Sequence, residues 1–207
     1  MRFAALTVCL CLCVAAMTAM AEDVAEGMIG AGLRATADAA GPVGFARLSL
    51  DTPLGHGFGL RGRLDVSGPA GGANPEVELG AGLRLGEGDV SAFADLRHAT
   101  LAEGTVAVTG IDYLARAGTL TLEAGPRLFL GDDGYARATL GPDQGDDGPG
   151  GLLTAGLRLT ARYELGADWG LEGGVRIDRP LPGADAPGTT ARMTASVMAT
   201  HRFQLEF

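Results

Sequence analysis

The stretch Glu76-Val77-Glu78-Leu79-Gly80-Ala81-Gly82-Leu83-Arg84-Leu85 decides the fold. Val77, Leu79, Ala81, Leu83 and Leu85 share one parity, and Glu76, Glu78, Gly80, Gly82 and Arg84 share the other. Successive side chains of a strand point to opposite faces, so this period of two gives one apolar and one polar face. A helix would scatter the same residues around its circumference. The pattern returns from Gly151 to Leu165, where Leu153, Ala155, Leu157, Leu159, Ala161 and Tyr163 alternate with Thr154, Gly156, Arg158, Thr160, Arg162 and Glu164. It returns again after Met193, with Ala195, Val197, Ala199, Phe203, Leu205 and Phe207 set against Thr194, Ser196, Thr200, Arg202, Gln204 and Glu206.

Working outward, the same reading predicts ten strands, near 28–37, 43–52, 57–66, 76–85, 89–98, 105–116, 119–130, 151–165, 169–179 and 191–206. Segments of about ten residues are long enough to cross a bilayer when tilted. In the sixth, Ala107, Ile111, Tyr113 and Ala115 are placed outward, with the opposite phase left open. Counts of eight or twelve strands are the alternatives, because that segment and the loop near Tyr135 can each be counted differently. A soluble sandwich or lipocalin-like barrel also alternates, and three features argue for an all-β, antiparallel transmembrane barrel instead.

The polar face is heavily charged. Arg34, Arg47, Asp51, Arg61, Arg63, Asp65, Arg84, Asp95, Arg97, Glu123, Arg127, Arg158, Arg162, Arg176, Asp178, Arg192 and Arg202 all fall on it, while the apolar face is almost free of charge, as lipid requires. Connector lengths alternate as well. With a periplasmic N-terminus, the short turns Pro53–His56, Gly86–Gly88, Ala117–Gly118 and Gly166–Asp168 lie inside; the long loops Ser67–Pro75, Gly131–Gly150 and Pro180–Thr190 lie outside. Finally, the outward aromatics Phe58, Tyr113, Tyr163, Trp169, Phe203 and Phe207 fall at the periplasmic strand ends, where an interfacial girdle belongs.

The N-terminus is consistent with export. Arg2 precedes the uncharged apolar run Phe3 to Ala16, and Ala19-Met20-Ala21 supplies the small-x-small cleavage pattern before Glu22 and Asp23. Residues 1–21 are therefore expected to be a removable signal peptide and 22–207 the barrel domain. Cys9, Cys11 and Cys13 all lie inside the apolar run, so a mature chain would have no thiol for disulfides, metal or nucleophilic chemistry. The net charge of −9 argues against nucleic acid as a partner and leaves membrane lipid as the expected surroundings. All sixteen basic residues are arginine.

The runs Gly118-Thr-Leu-Thr-Leu-Glu-Ala-Gly-Pro126-Arg-Leu, Gly131-Asp-Asp-Gly-Tyr135, Leu140-Gly141, Ala167-Asp-Trp169-Gly-Leu-Glu-Gly-Gly-Val and Arg179-Pro-Leu-Pro-Gly-Ala-Asp185-Ala-Pro187 together resemble the MltA-interacting protein (MipA/OmpV) family. The resemblance covers roughly the last two-thirds of the chain, with Val77 to Leu114 fitting more loosely; the aromatic, glycine-rich opening of the family is absent. It implies a non-enzymatic outer-membrane barrel that serves as a surface antigen or, as in one branch of the family, as a scaffold for a murein hydrolase and a murein synthase, with periplasmic murein-processing enzymes as partners. Outer-membrane barrels also commonly end, like this chain, on an aromatic residue.

The rival reading is a small channel for passive diffusion. Ten strands lie near the filled end of the barrel range, and a lumen this rich in Arg, Asp and Glu is expected to be plugged by ion pairs. An enzyme needs a nucleophile and base at one rim. His56, His98 and His201 share no level with Ser49, Ser67, Ser91 or Ser196, so no catalytic residue, cofactor site or metal site is assigned. The acidic loop 131–151, with Asp132, Asp133, Asp143, Asp146 and Asp147, does not have EF-hand spacing and reads as solvated. Gly30-Ala31-Gly32 and Gly80-Ala81-Gly82 read as small lumen positions that make room for side chains from across the barrel.

Overall fold

The structure is a computed structural model that describes residues 24–37, 41–68, 75–100, 104–135, 151–181 and 191–206, with the backbone alone for 151–153. The predicted signal segment 1–21 and Phe207 lie outside the described residues. Ten strands follow in order: β1 Val24–Thr36, β2 Val43–Gly55, β3 Phe58–Gly68, β4 Glu76–Glu87, β5 Val90–Ala99, β6 Gly104–Ala117, β7 Leu120–Gly131, β8 Gly151–Glu164, β9 Trp169–Pro180 and β10 Arg192–Glu206. Each pairs antiparallel with its sequence neighbours, and β1 pairs β10 from Val24↔Glu206 to Thr36↔Thr194, closing the barrel. Closure removes every unpaired edge, which a strand structure in lipid must do.

Most predicted strand ends move by one or two residues, and two move further. β1 begins at Val24, earlier than the alternation suggests, because its first residues complete the ladder with the end of β10. The turn placed at Pro53–His56 is shorter: β2 runs through Pro53 to Gly55, and only His56 and Gly57 turn. Pro53 is accommodated where the register slips between Pro53 and Gly55, an irregularity that does not need its missing N–H. His56 takes a left-handed φ of 52° between glycines at 84° and 76°. Those signs suit a tight hairpin, and glycine adopts them without a Cβ penalty.

The sixth segment takes the phase that puts Ile111 and Tyr113 outside and Asp112 inside. The outer surface is a continuous belt of exposed aliphatics, with Leu33, Leu96 and Leu157 among the most open; Leu157 is 63% exposed. Of the described arginines only Arg179 faces outward, at the end of β9. Three of the polar side chains on this surface are satisfied locally. Thr109 donates its hydroxyl to the Phe93 carbonyl at 2.9 Å, and His98 Nδ1 lies 3.1 Å from Thr105 Oγ1. A satisfied polar group is tolerable in hydrocarbon, whereas an unpaired one costs several kcal/mol.

Phe58, Tyr113, Tyr163, Trp169 and Phe203 all face outward near the end of the barrel that carries the short turns. Trp169 meets its register partner His201 edge to face at 4.8 Å between ring centroids. Phe203 lies flat over Gly27, its partner on β1, where any Cβ would collide with the ring. An aliphatic belt bounded by aromatics, around a charged interior, is the surface of a protein that spans a membrane with strands. No helix of the described residues is long and apolar enough to cross.

Candidate functional site: the lumen

The even-numbered parity of β1 points inward, and the register carries that inward set around the ring. All ten arginines and carboxylates proposed for the lumen network lie on it: Arg61, Arg63, Arg84, Arg97, Glu123, Arg127, Arg158, Arg162, Arg176 and Asp178. Their partners come mainly from the same strand two residues away or from an adjacent strand. Arg61 Nε lies 2.9 Å from Asp51 Oδ1, Arg97 Nη2 3.0 Å from Asp95 Oδ2, and Arg176 Nε 2.6 Å from Asp178 Oδ2. Arg84 donates to Ser91 Oγ at 3.0 Å instead.

Two carboxylates not singled out from the sequence organise this network. Asp112 is buried against Arg127, which also lies 3.8 Å from Glu123. The motif Gly125-Pro126-Arg127 explains why that arginine is there. Pro126 has no N–H, and β6 and β7 do not pair at Ile111 and Asp112. The Ile111 carbonyl presses so close to Gly125 that no Cβ fits, and Arg127 Nη1 donates to that carbonyl at 3.0 Å. The side chain supplies the donor that the proline withholds.

Glu172 is the second. It accepts from Arg162 Nη2 at 2.7 Å and lies 3.9 Å from Arg158 and 3.7 Å from Arg47. Arg47 in turn donates to Asp65 at 2.8 Å, and Asp65 also binds Arg63. Asp65 stands on β3 and Arg158 and Arg162 on β8, five places apart in a ring of ten. One chain of charges therefore joins opposite walls. The approach of Arg47 to Glu172 passes over β1 and β10, where Gly30 faces Arg47 and leaves the wall low.

Glycines fit the charges to the wall. The carboxylates of Asp95 and Asp178 occupy the places where Cβ atoms of Gly82 and Gly156 would stand. Gly30 and Gly32 face Met198 in the same way. The side chains that need this room come from the next strand, a correction to the expectation that they come from across the barrel. The lumen also carries aromatic rings, which a purely polar inner face would not. Phe93, Val106, Val108 and Phe129 form a buried apolar cluster, with Tyr135 packed against it. Guanidinium groups stack on the rings: Arg127 on Phe93 at 4.4 Å, Arg176 on Phe129 at 5.4 Å and Arg34 on Phe45 at 4.8 Å.

The charge chain lies between two cavities. One, of about 260 Å³, lies toward the strand ends that lead into the long loops and is lined by Arg47, Asp65, Arg158 and Glu172 among others. The other, of about 480 Å³, is at the short-turn end and includes Glu26, Asp51, Arg162 and Arg202. Three histidines stand apart from both: His56 in a turn, His98 on Thr105 and His201 on Trp169. Among the described residues no group of three metal-ligating side chains converges, and of the acidic loop only Asp132 and Asp133 are described. Asp132 caps the start of that loop, accepting from the Thr105 and Tyr135 N–H groups at 2.9 and 2.8 Å.

A closed, lipid-faced barrel with a charged interior is an outer-membrane β-barrel, and this chain is one, of ten antiparallel strands. The chain is similar to the KdgM porin (9% identity, TM-score 0.44, 86% of this chain and 99% of that one). It is likewise similar to the NanC porin (8%, 0.43, 86% and 98%) and to Neisserial surface protein A (8%, 0.35, 90% and 99%). No family model and no curated protein matches the sequence.

Proposed function

We propose that the protein is a non-enzymatic, narrow outer-membrane channel for passive diffusion of small solutes, constricted at the Arg47–Glu172 contact. The observation that supports this is the character of the constriction. Arg47 Nη1 and Glu172 Oε1 are 3.7 Å apart, within ion-pair range but beyond a hydrogen bond, with a polar cavity on either side. Apolar packing inside the lumen is confined, among the described residues, to the cluster around Phe93 and Val108. The contact can part without stranding either charge, because Arg47 keeps Asp65 at 2.8 Å and Glu172 keeps Arg162 at 2.7 Å.

Single-channel recording of the purified barrel in planar bilayers tests this reading. Discrete, steady conductance supports it, and a silent bilayer containing folded barrel rejects it. Silence would return the molecule to the closed-barrel scaffold that the MipA/OmpV resemblance implies. Recovery of a murein hydrolase or synthase in a crosslinked pull-down is the test of that role.

A further inference from the structure

The charges of the long-loop-side cavity are unevenly satisfied. Arg158 on β8 and Arg176 on β9 are direct register partners, and both line the cavity. Like charges set opposite one another on one face destabilise a sheet. Arg176 is paired at 2.6 Å with Asp178, which is not part of the cavity lining, and Arg158 shares Glu172, which Arg162 already holds. Arg34 lines the same cavity from β1, stacked on Phe45, with no ion pair to a carboxylate among the described residues.

Between these arginines the wall is low and hydroxylated. The register partner of Arg34 on β10 is Ser196, and that of Ser196 on β9 is Gly174. A Cβ on Gly174 would lie 3.3 Å from Ser196 Oγ and 3.7 Å from Thr160 Oγ1, so the glycine leaves a recess floored by hydroxyls. Planar guanidinium forks with spare donors, beside a hydroxyl donor, suit an oxyanion.

We propose that this recess is a binding site for the carboxylate or phosphate group of a small solute, held by Arg158 and Arg176 and flanked by Arg34 and Ser196. An anion there removes the repulsion between the two facing arginines. The inference deepens the channel reading by naming anionic solutes as its cargo, and it rests on that reading for transport though not for binding.

Titration calorimetry of the full chain in zwitterionic detergent, with citrate and with inorganic phosphate as probes, tests it. Saturable binding of at least one probe is expected, weakened tenfold or more by Arg158→Gln and by Arg34→Gln and unchanged by Arg116→Gln at the exposed pair with Asp89. The probe that binds tells a carboxylate site from a phosphate site. No saturable heat with either probe overturns the proposal, as does binding that both arginine variants leave intact. If those variants lose the folded band on an unboiled gel, Ser196→Asp replaces them. It sets a carboxylate in the recess and keeps every arginine, and it is expected to abolish binding; undiminished binding overturns the site. Conductance without binding sinks the site and keeps the channel, whereas binding without conductance does the reverse.

Discussion

Arg47 on β2 and Glu172 on β9 meet at 3.7 Å although two strands, β1 and β10, stand between them in the wall. The contact turns separate wall pairs into one chain from Asp65 to Arg158 and Arg162, and it narrows the lumen between the two cavities. Glu172→Gln removes the carboxylate that three arginines share. The expected outcome is a higher unitary conductance and a reversal potential displaced toward anions under a salt gradient. An unchanged current would place the constriction elsewhere.

Asp112 and Arg127 are buried together, and removing Asp112 leaves Arg127 only the more distant Glu123 as a carboxylate partner. Asp112→Ala is expected to destabilise the barrel by about 3 kcal/mol, the usual cost of breaking a buried pair. Arg116→Gln, at an exposed pair, should cost about 0–1 kcal/mol. Urea titration of the folded band in liposomes measures both, and equal losses would refute the distinction.

Gly82 and Gly156 hold the space that the carboxylates of Asp95 and Asp178 fill. Alanine at either should cost about 1–3 kcal/mol through overpacking. Gly173→Ala is the control, because a Cβ there meets nothing closer than the Ser196 carbonyl at 4.0 Å. It should be neutral or gain about 0.5 kcal/mol by restricting the unfolded chain.

Leu157 and Arg158 are neighbours in sequence and face opposite solvents. Leu157→Arg should cost about 2–4 kcal/mol on the lipid side. Refolding into bilayers should fall accordingly, with Ser49→Arg tolerated on the lumen side, where Ser49 lines the larger cavity. Comparable losses at both sites would contradict the lipid-facing assignment.

Trp169 is the single tryptophan of the chain and sits in the girdle. Its fluorescence should shift to the blue on folding into vesicles. Lipids brominated near the headgroup should quench it more than lipids brominated near the chain ends; the reverse order would move the girdle to the bilayer centre.

The sidedness of nearly every strand was legible because a lipid belt and a charged lumen force opposite chemistries onto alternate residues. Ile111 and Asp112 show the limit of that reading: with Thr109 facing lipid and Val106 and Val108 facing the lumen, alternation weakens and the phase stays ambiguous until the register decides it. Glu172 was equally hidden. It stands among glycines in Gly170-Leu171-Glu172-Gly173-Gly174, where small residues on both faces blur the period. Which charges meet was not legible at all. Arg47 and Glu172 are 3.7 Å apart because of barrel closure and strand stagger, which belong to the whole ring and to no local segment.

The seam between β1 and β10 sets the order in which the barrel can form. Every other ladder joins strands that follow one another in the chain, but Val24 must find Glu206 and Thr36 must find Thr194. Loop-closure entropy makes such distant pairings the slowest, so hairpins zip first and the ring shuts last. Until it shuts, both end strands remain open templates. Cutting the chain between Gly118 and Thr119 and tethering its old ends would move this late, vulnerable step to the β6–β7 hairpin without altering a single lumen residue.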